Sequence, residues 1–252
     1  MRILVTFAVP QEFSAWKAMR PFARVEIGGL AAYDTRIGSV DVRVAVTGMG
    51  QVPAVRVARR LLEAGADVCI SAGSAGGLRP EHPVGRVLVA RALRMEDDRF
   101  VIKSHDGLRR MAAACGARVV DLFFSVDHVV ITAREKSALG LLADAVEMES
   151  YAVLTEAARC RVPAVAVRAI SDTCRADLPL DFNRSVNQEG HLSWPRLLGQ
   201  IVRRPHRVPG LLRLGAESRR AAESLAKFLD VYVTSLVGQV GERELVARAT
   251  TR

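Results

Sequence analysis

Short apolar runs, punctuated by glycine and separated by amphipathic stretches, fill the first two thirds of the chain. This alternation predicts an α/β domain. Residues 3–8 and 162–167 are almost continuously apolar, the pattern of strands covered on both faces. Residues 24–27, 31–37 and 42–46 alternate well enough for strands, with turns at Gly28-Gly29 and Gly38-Ser39. Residues 67–72, 86–90 and 126–131 read as further strands. A helix opens near Pro10, a favourable first-turn residue. A second, over 53–63, carries Val57, Leu61 and Leu62 on one face and Arg56, Arg59 and Arg60 on the other. Residues 107–115, 133–142 and 151–160 complete the predicted helices.

Polar residues gather at the strand ends. The run at 162–167 continues into Arg168-Ala169-Ile170-Ser171-Asp172, and open α/β sheets hold ligands at the carboxyl ends of their strands. Alone, Ser171-Asp172 is equally a turn or a helix cap. Strand 67–72 leads into Gly73-Ser74-Ala75-Gly76-Gly77-Leu78, read as a loop. There small residues admit a ligand close to the backbone amides and the Ser74 hydroxyl. The spacing is not GxGxxG, and Arg79-Pro80 is a poor helix opening, so a nicotinamide site is excluded. Glu12 falls in the first turn of the helix at Pro10, where a carboxylate either complements the helix dipole or takes a proton from water. Glu147-Met148-Glu149 precedes a largely apolar helix, and capping explains one of those carboxylates but not both.

Length and composition narrow the classes. The chain has 252 residues, half of them hydrophobic and a quarter charged, enough for one sizeable core. Its four cysteines are far apart, and its five histidines lack metal-ligand spacing. No apolar run reaches the roughly 18 residues of a membrane span, and the N-terminus does not read as a signal peptide. The expectation is a cytoplasmic protein with neither metal nor cofactor.

Glu12, the 73–78 segment, Val146-Glu147-Met148-Glu149 and Arg168-Ala169-Ile170-Ser171-Asp172 occur in an order and spacing that resembles the nucleoside phosphorylase superfamily. Within it they look most like the methylthioadenosine/S-adenosylhomocysteine nucleosidases. The resemblance covers residues 1–182 and implies a catalytic domain there, a three-layer α/β/α sandwich around a mixed central sheet. It implies cleavage of an N-glycosidic bond. Asp172 then matches the acid that protonates purine N7, supported by Ser171, in a dry site that keeps its proton on. Glu149 matches the carboxylate that holds the ribose hydroxyls, with Met148 against the sugar and Glu147 beside them. Glu12 matches the base that activates water, Ser74 and Arg168 its polar partners, and Ala75 and Gly76 the backbone approached by substrate. Val129 or its neighbour stands where the family carries a base-stacking aromatic, and Phe182 where it places an aromatic lid. A carboxylate at Glu12, where a phosphorylase carries its phosphate loop, would repel phosphate and favours hydrolysis. Arg168 or Arg79 could still hold an anion, which leaves phosphorolysis open. The resemblance also implies a homodimer.

Residues 183–252 read as a basic helical extension packed on the same domain. Between His191 and Lys227, seven Arg and one Lys face two Glu, interleaved with Leu and Val, and Pro205 and Pro209 divide the helices. Solvated helix faces explain charge most simply. Few aromatics and no recognition motif argue against nucleic acid. The layout resembles the hopanoid-associated phosphorylases, which implies a lipid-linked, adenosylhopane-type nucleoside. It also implies a peripheral membrane contact through Arg203, Arg204 and Arg207.

Overall fold

The first apolar run is strand β1 (Arg2–Phe7), paired with a parallel strand on each side and buried from Ile3 onward because helices cover both of its faces. The computed structural model describes residues 1–96, 99–185 and 193–250. After β1 come α1 (Pro10–Met19), β2 (Ala23–Ile27), β3 (Leu30–Ile37), β4 (Val40–Val46), α2 (Gln51–Glu63) and β5 (Val68–Gly77). Next are β6 (Val87–Met95), β7 (Val101–Lys103), α3 (Asp106–Ala114), β8 (Arg118–Ser125), α4 (Ala133–Leu139) and β9 (Ala145–Glu147). The chain closes with α5 (Ser150–Arg159), β10 (Ala164–Asp172), α6 (Trp194–Arg203) and α7 (Val208–Thr250).

The ten strands form one mixed sheet in the order β10-β6-β8-β9-β5-β1-β4-β3-β2, with β7 on β6. Because β5 also pairs with β10, the strands β5, β10, β6, β8 and β9 close into a ring. Helices cover both faces. On one, Val57, Leu61 and Leu62 of α2 pack with Val153, Leu154 and Ala157 of α5. On the other, Phe13 and Trp16 of α1, Leu108 and Ala112 of α3, and Leu225, Leu229, Tyr232 and Val233 of α7 share one cluster with β1. This is the expected α/β/α arrangement. Polar contacts fix α7 there: the Tyr232 hydroxyl donates to Leu108 O at 2.9 Å, and Arg20 pairs with Asp230.

Several sequence expectations shift. The strand expected over 126–131 is instead β8 at Arg118–Ser125. The chain leaves the sheet after Ser125 because its neighbour β9 ends at Glu147, with Ser125 paired to it. Strand β9 is visible in the sequence only as the approach to a helix; three residues are too few to show a period. The 73–78 segment is not a loop. Residues through Gly77 continue β5, paired to β10 on one side and β9 on the other. Likewise β10 extends past 167 to Asp172. Pro209 does not divide helices, because it falls in the first turn of α7, where no amide hydrogen is needed.

Candidate active site

The site grows out of the β5–β10 pair. Their parallel register sets Arg168 beside Gly73, Ala169 beside Ser74, and, after an irregularity at Ser171, Asp172 beside Gly76. The glycines are small for a reason that the register exposes. A Cβ on Gly73 would lie 3.1 Å from Glu12 Oε1, and one on Gly76 would lie 3.3 Å from Asp172 Oδ2. Side chains at either position would push a carboxyl away.

Glu12 sits in the first turn of α1 and is nearly buried. Its Oε1 accepts the Ser74 amide at 2.7 Å, and its Oε2 accepts the amides of Ala8 at 3.0 Å and Val9 at 3.3 Å. Glu12 caps the helix, and the same geometry holds its carboxylate over the end of the sheet.

Glu147 and Glu149 have different environments. Glu147 is fully enclosed, and its oxygens accept from the Ser125 hydroxyl, the Ser150 amide at 2.6 Å, the Glu149 amide at 3.0 Å and Arg168 Nη2 at 2.7 Å. Burial opposes its charge, but Arg168, the Ser125 hydroxyl and the two amides prevail and hold it below the ordinary carboxylate range. Glu149 lacks so many donors. Its Oε1 accepts the Gly50 amide at 2.8 Å, while Arg168 lies 3.7 Å from Oε2. Burial, then the neighbouring charge of Glu147, push its carboxyl up to about 8. Arg168 is thus committed to the two glutamates, and it is buried itself.

Asp172 ends β10. The Ser171 hydroxyl donates to Oδ1 at 2.8 Å, and the Lys136 ammonium to Oδ2 at 2.5 Å. From the sequence, a dry site without a cation is expected around Asp172. The structure adds a fully buried one, from α4.

Glu12, Ser74, Ala75, Gly76, Val129, Glu147, Met148, Glu149, Ser171 and Asp172 line one cavity of about 200 Å³. Two expected site residues stand apart from it. Arg168 lies behind Glu147, and Phe182 lines a larger adjoining cleft of about 930 Å³. That cleft runs past Glu12, Met49 and Ser171 to Gly215, Ser218, Arg219 and Ala222 of α7.

The sequence missed two other participants, Lys136 and Asn183, whereas His128 reads there as a polar partner or site wall. Lys136 looked like one more charge on a polar helix. Asn183 reaches back to donate to Val129 O at 2.9 Å and accept from Val129 N at 2.7 Å, which positions that part of the cavity wall. His128 lines the cavity and bonds Glu135 at 2.8 Å and Asp127 at 2.9 Å, and these partners raise its pKa against the effect of burial. With Glu96, Asp127 and His128 form a group near enough to share a cation, although both carboxylates are exposed. Arg79, the other candidate anion holder, instead lies 3.4 Å from Asp144.

Three carboxyls from three separate elements face one cavity, one hydrogen-bonded by amides, one raised by burial and one paired with an ammonium. Such a set can donate a proton, steady a developing cation and accept a proton from water.

Solved structures share this architecture. Futalosine hydrolase of Helicobacter pylori, as a mutant, aligns over 93% of this chain and 99% of its own at 18% identity, with a TM-score of 0.72. The 5′-methylthioadenosine/S-adenosyl homocysteine nucleosidase of Campylobacter jejuni gives the same coverage, identity and score. The corresponding nucleosidase of Neisseria meningitidis, in complex with methylthio-immucillin-A, is 22% identical over 93% of this chain and 99% of its own, at a TM-score of 0.71. At these identities the likeness establishes the fold. The sequence profile of the phosphorylase superfamily matches residues 2–193, most of the chain, and the protein belongs to that superfamily.

Proposed function

We propose that the protein hydrolyses the N-glycosidic bond of an adenine nucleoside. The observation that carries this reading is the convergence of Glu12, Glu149 and Asp172 on one cavity, while Arg168 and Arg79, the arginines considered as anion holders, are engaged by Glu147 and Asp144. The fold-level likeness to a futalosine hydrolase and to two methylthioadenosine nucleosidases supports it.

In this mechanism Asp172, paired with the Lys136 ammonium in the free protein, takes up a proton from solvent as the nucleoside binds and gives it to purine N7 as the bond from C1′ to N9 breaks, and the bond's electron pair leaves with the base. Glu149 binds the ribose diol and, once ionised, favours the cationic sugar. Water adds to C1′ and passes a proton to Glu12. One water is consumed, and the products are adenine and a free sugar.

The proposed substrate carries a bulky apolar 5′ group of the adenosylhopane type. The 930 Å³ cleft beside Glu12, walled by α1 and α7, would take such a group. A peripheral contact with anionic lipid is proposed for α6 and the turn after it. Leu198 and Val202 are exposed there, next to Arg203 and Arg204, while Arg207 also donates to Pro179 O at 3.1 Å. Among the described residues no helix is long and apolar enough to cross a membrane.

The deciding experiment measures adenine release from adenosylhopane and from methylthioadenosine, each with and without phosphate. Phosphate-independent release from the lipid nucleoside is expected. A phosphate requirement would overturn the role of Glu12. Turnover of methylthioadenosine alone would remove the lipid substrate, and no release from either would leave a nucleoside-binding protein. Charge reversal at Arg203, Arg204 and Arg207 should abolish sedimentation with anionic liposomes; unchanged sedimentation would refute the membrane contact.

A further inference from the structure

Lys136 has none of the usual surroundings of a lysine. It is completely buried, whereas lysines are almost never fully buried unless paired. Its ammonium has three donors, and all three are used. One goes to Asp172 Oδ2 at 2.5 Å, one to Ala176 O at 3.0 Å and one to Thr173 O at 3.3 Å. The segments around it are joined at two further points. Leu178 N donates to Ile131 O at 2.8 Å, and Ala133 N donates to Asp177 Oδ1 at 2.7 Å. The start of α4 and the turn after β10 are therefore fastened together, with Lys136 Nζ at the centre and the Asp172 carboxyl as its charge partner.

The other side of that carboxyl is equally constrained. Ser171 holds Oδ1, and Gly76 leaves just enough room for Oδ2. A carboxyl bound at both oxygens has little rotational freedom. Leu178, at the far end of the same turn, lines the catalytic cavity.

We infer that Lys136 is a positioning residue for the general acid, holding the Asp172 carboxyl and the turn over 173–178 in the arrangement that presents Asp172 to the purine. This rests on the reading of Asp172 as the acid. Lys136 acts through Asp172, so it matters only when the leaving group needs a proton. Geometry of this kind is costly to lose, because small misplacements of a reacting group lower the rate steeply.

The test compares two substrates in the full-length protein. One is whichever adenine nucleoside the wild-type protein cleaves. The other is 4-nitrophenyl β-D-ribofuranoside, whose phenolate departs without protonation. Lys136→Met should lower kcat for adenine release at least about 100-fold, with KM within about threefold. It should leave nitrophenolate release within about threefold of wild type. In the double variant Asp172→Asn/Lys136→Met, adenine release should fall no further than in Asp172→Asn alone, as expected of residues acting as a unit. Near-UV circular dichroism reports folding. If Lys136→Met does not fold, Lys136→Gln, which keeps a donor for the two carbonyls, takes its place with the same expected split. Adenine release at the wild-type rate, or equal loss on both substrates, would overturn the inference. If the wild-type protein cleaves neither substrate, the hydrolase reading fails and this role falls with it.

Discussion

The Glu149 carboxyl accepts the Gly50 amide at 2.8 Å, tying the start of α5 to the start of α2. Gly50 can offer that amide because its backbone lies at φ +92°, in the region that side chains rarely adopt. Gly50→Ala should strain the turn by about 1–3 kcal/mol and release Glu149. The expected result is a raised KM for nucleoside with kcat less affected, measured by steady-state adenine release. An unchanged KM would show that this tie does not shape the sugar site.

Glu149 also predicts how stability depends on pH. Its pKa is raised by burial, then by Glu147, from an ordinary 4.5 to about 8, so between these values the folded protein holds a proton that the unfolded chain releases. Its contribution is complete below about 4.5 and is lost as pH rises through 8. Glu149→Gln should therefore flatten the fall in stability between about pH 4.5 and 8, an effect on the order of a few kcal/mol. Urea midpoints at acid, neutral and alkaline pH measure it, and parallel profiles for the two proteins would refute it. Glu147 works in the opposite sense, losing its contribution as pH falls.

Asp172→Asn removes the proton donor and should cost about 10²–10⁴-fold in kcat for adenine release. Asn still offers an oxygen to Lys136 but no charge, so the buried ammonium is left uncompensated and the melting temperature should fall as well. Wild-type turnover in this variant would remove Asp172 from the mechanism.

Glu12→Gln sets an amide NH2 among the donating amides of Ala8, Val9 and Ser74. Hydrolysis should be abolished, and stability should fall by about 1–3 kcal/mol. A phosphorylase would retain most of its phosphate-dependent rate, which separates the two chemistries in one assay.

Gly73→Ala tests the close approach of sheet and carboxylate. The added carbon would meet Glu12 at 3.1–3.3 Å. Loss of hydrolysis with near-native circular dichroism is expected, and full activity would show that Glu12 tolerates displacement.

The α/β class and the order of most elements are legible in the pattern of apolar runs, because strands such as β1 and β10 are covered on both faces. The three carboxyls drew attention because charge at a strand end or before an apolar helix is hard to place in a core. Lys136 gave no such signal. Between Glu135 and Ser137, on a short helix, it looks like any solvated charge, and only the return of residues 173–178 encloses it. Asn183 likewise acquires meaning only when its turn meets Val129, 54 positions earlier. The ring closure through β5 and β10 was equally hidden, since periodicity carries no information about which strands pair.

Helix α7 has a consequence for the order of events during synthesis. The superfamily profile ends at 193, yet Ala221, Leu225, Leu229 and Val233 lie in the same cluster as Ile3, Val5 and Phe7 of the first strand. A nascent chain therefore exposes part of the apolar face of β1 until residues 221–233 have left the ribosome. Two segments far apart in the sequence, residues 3–7 and 221–233, must meet before that face is sealed.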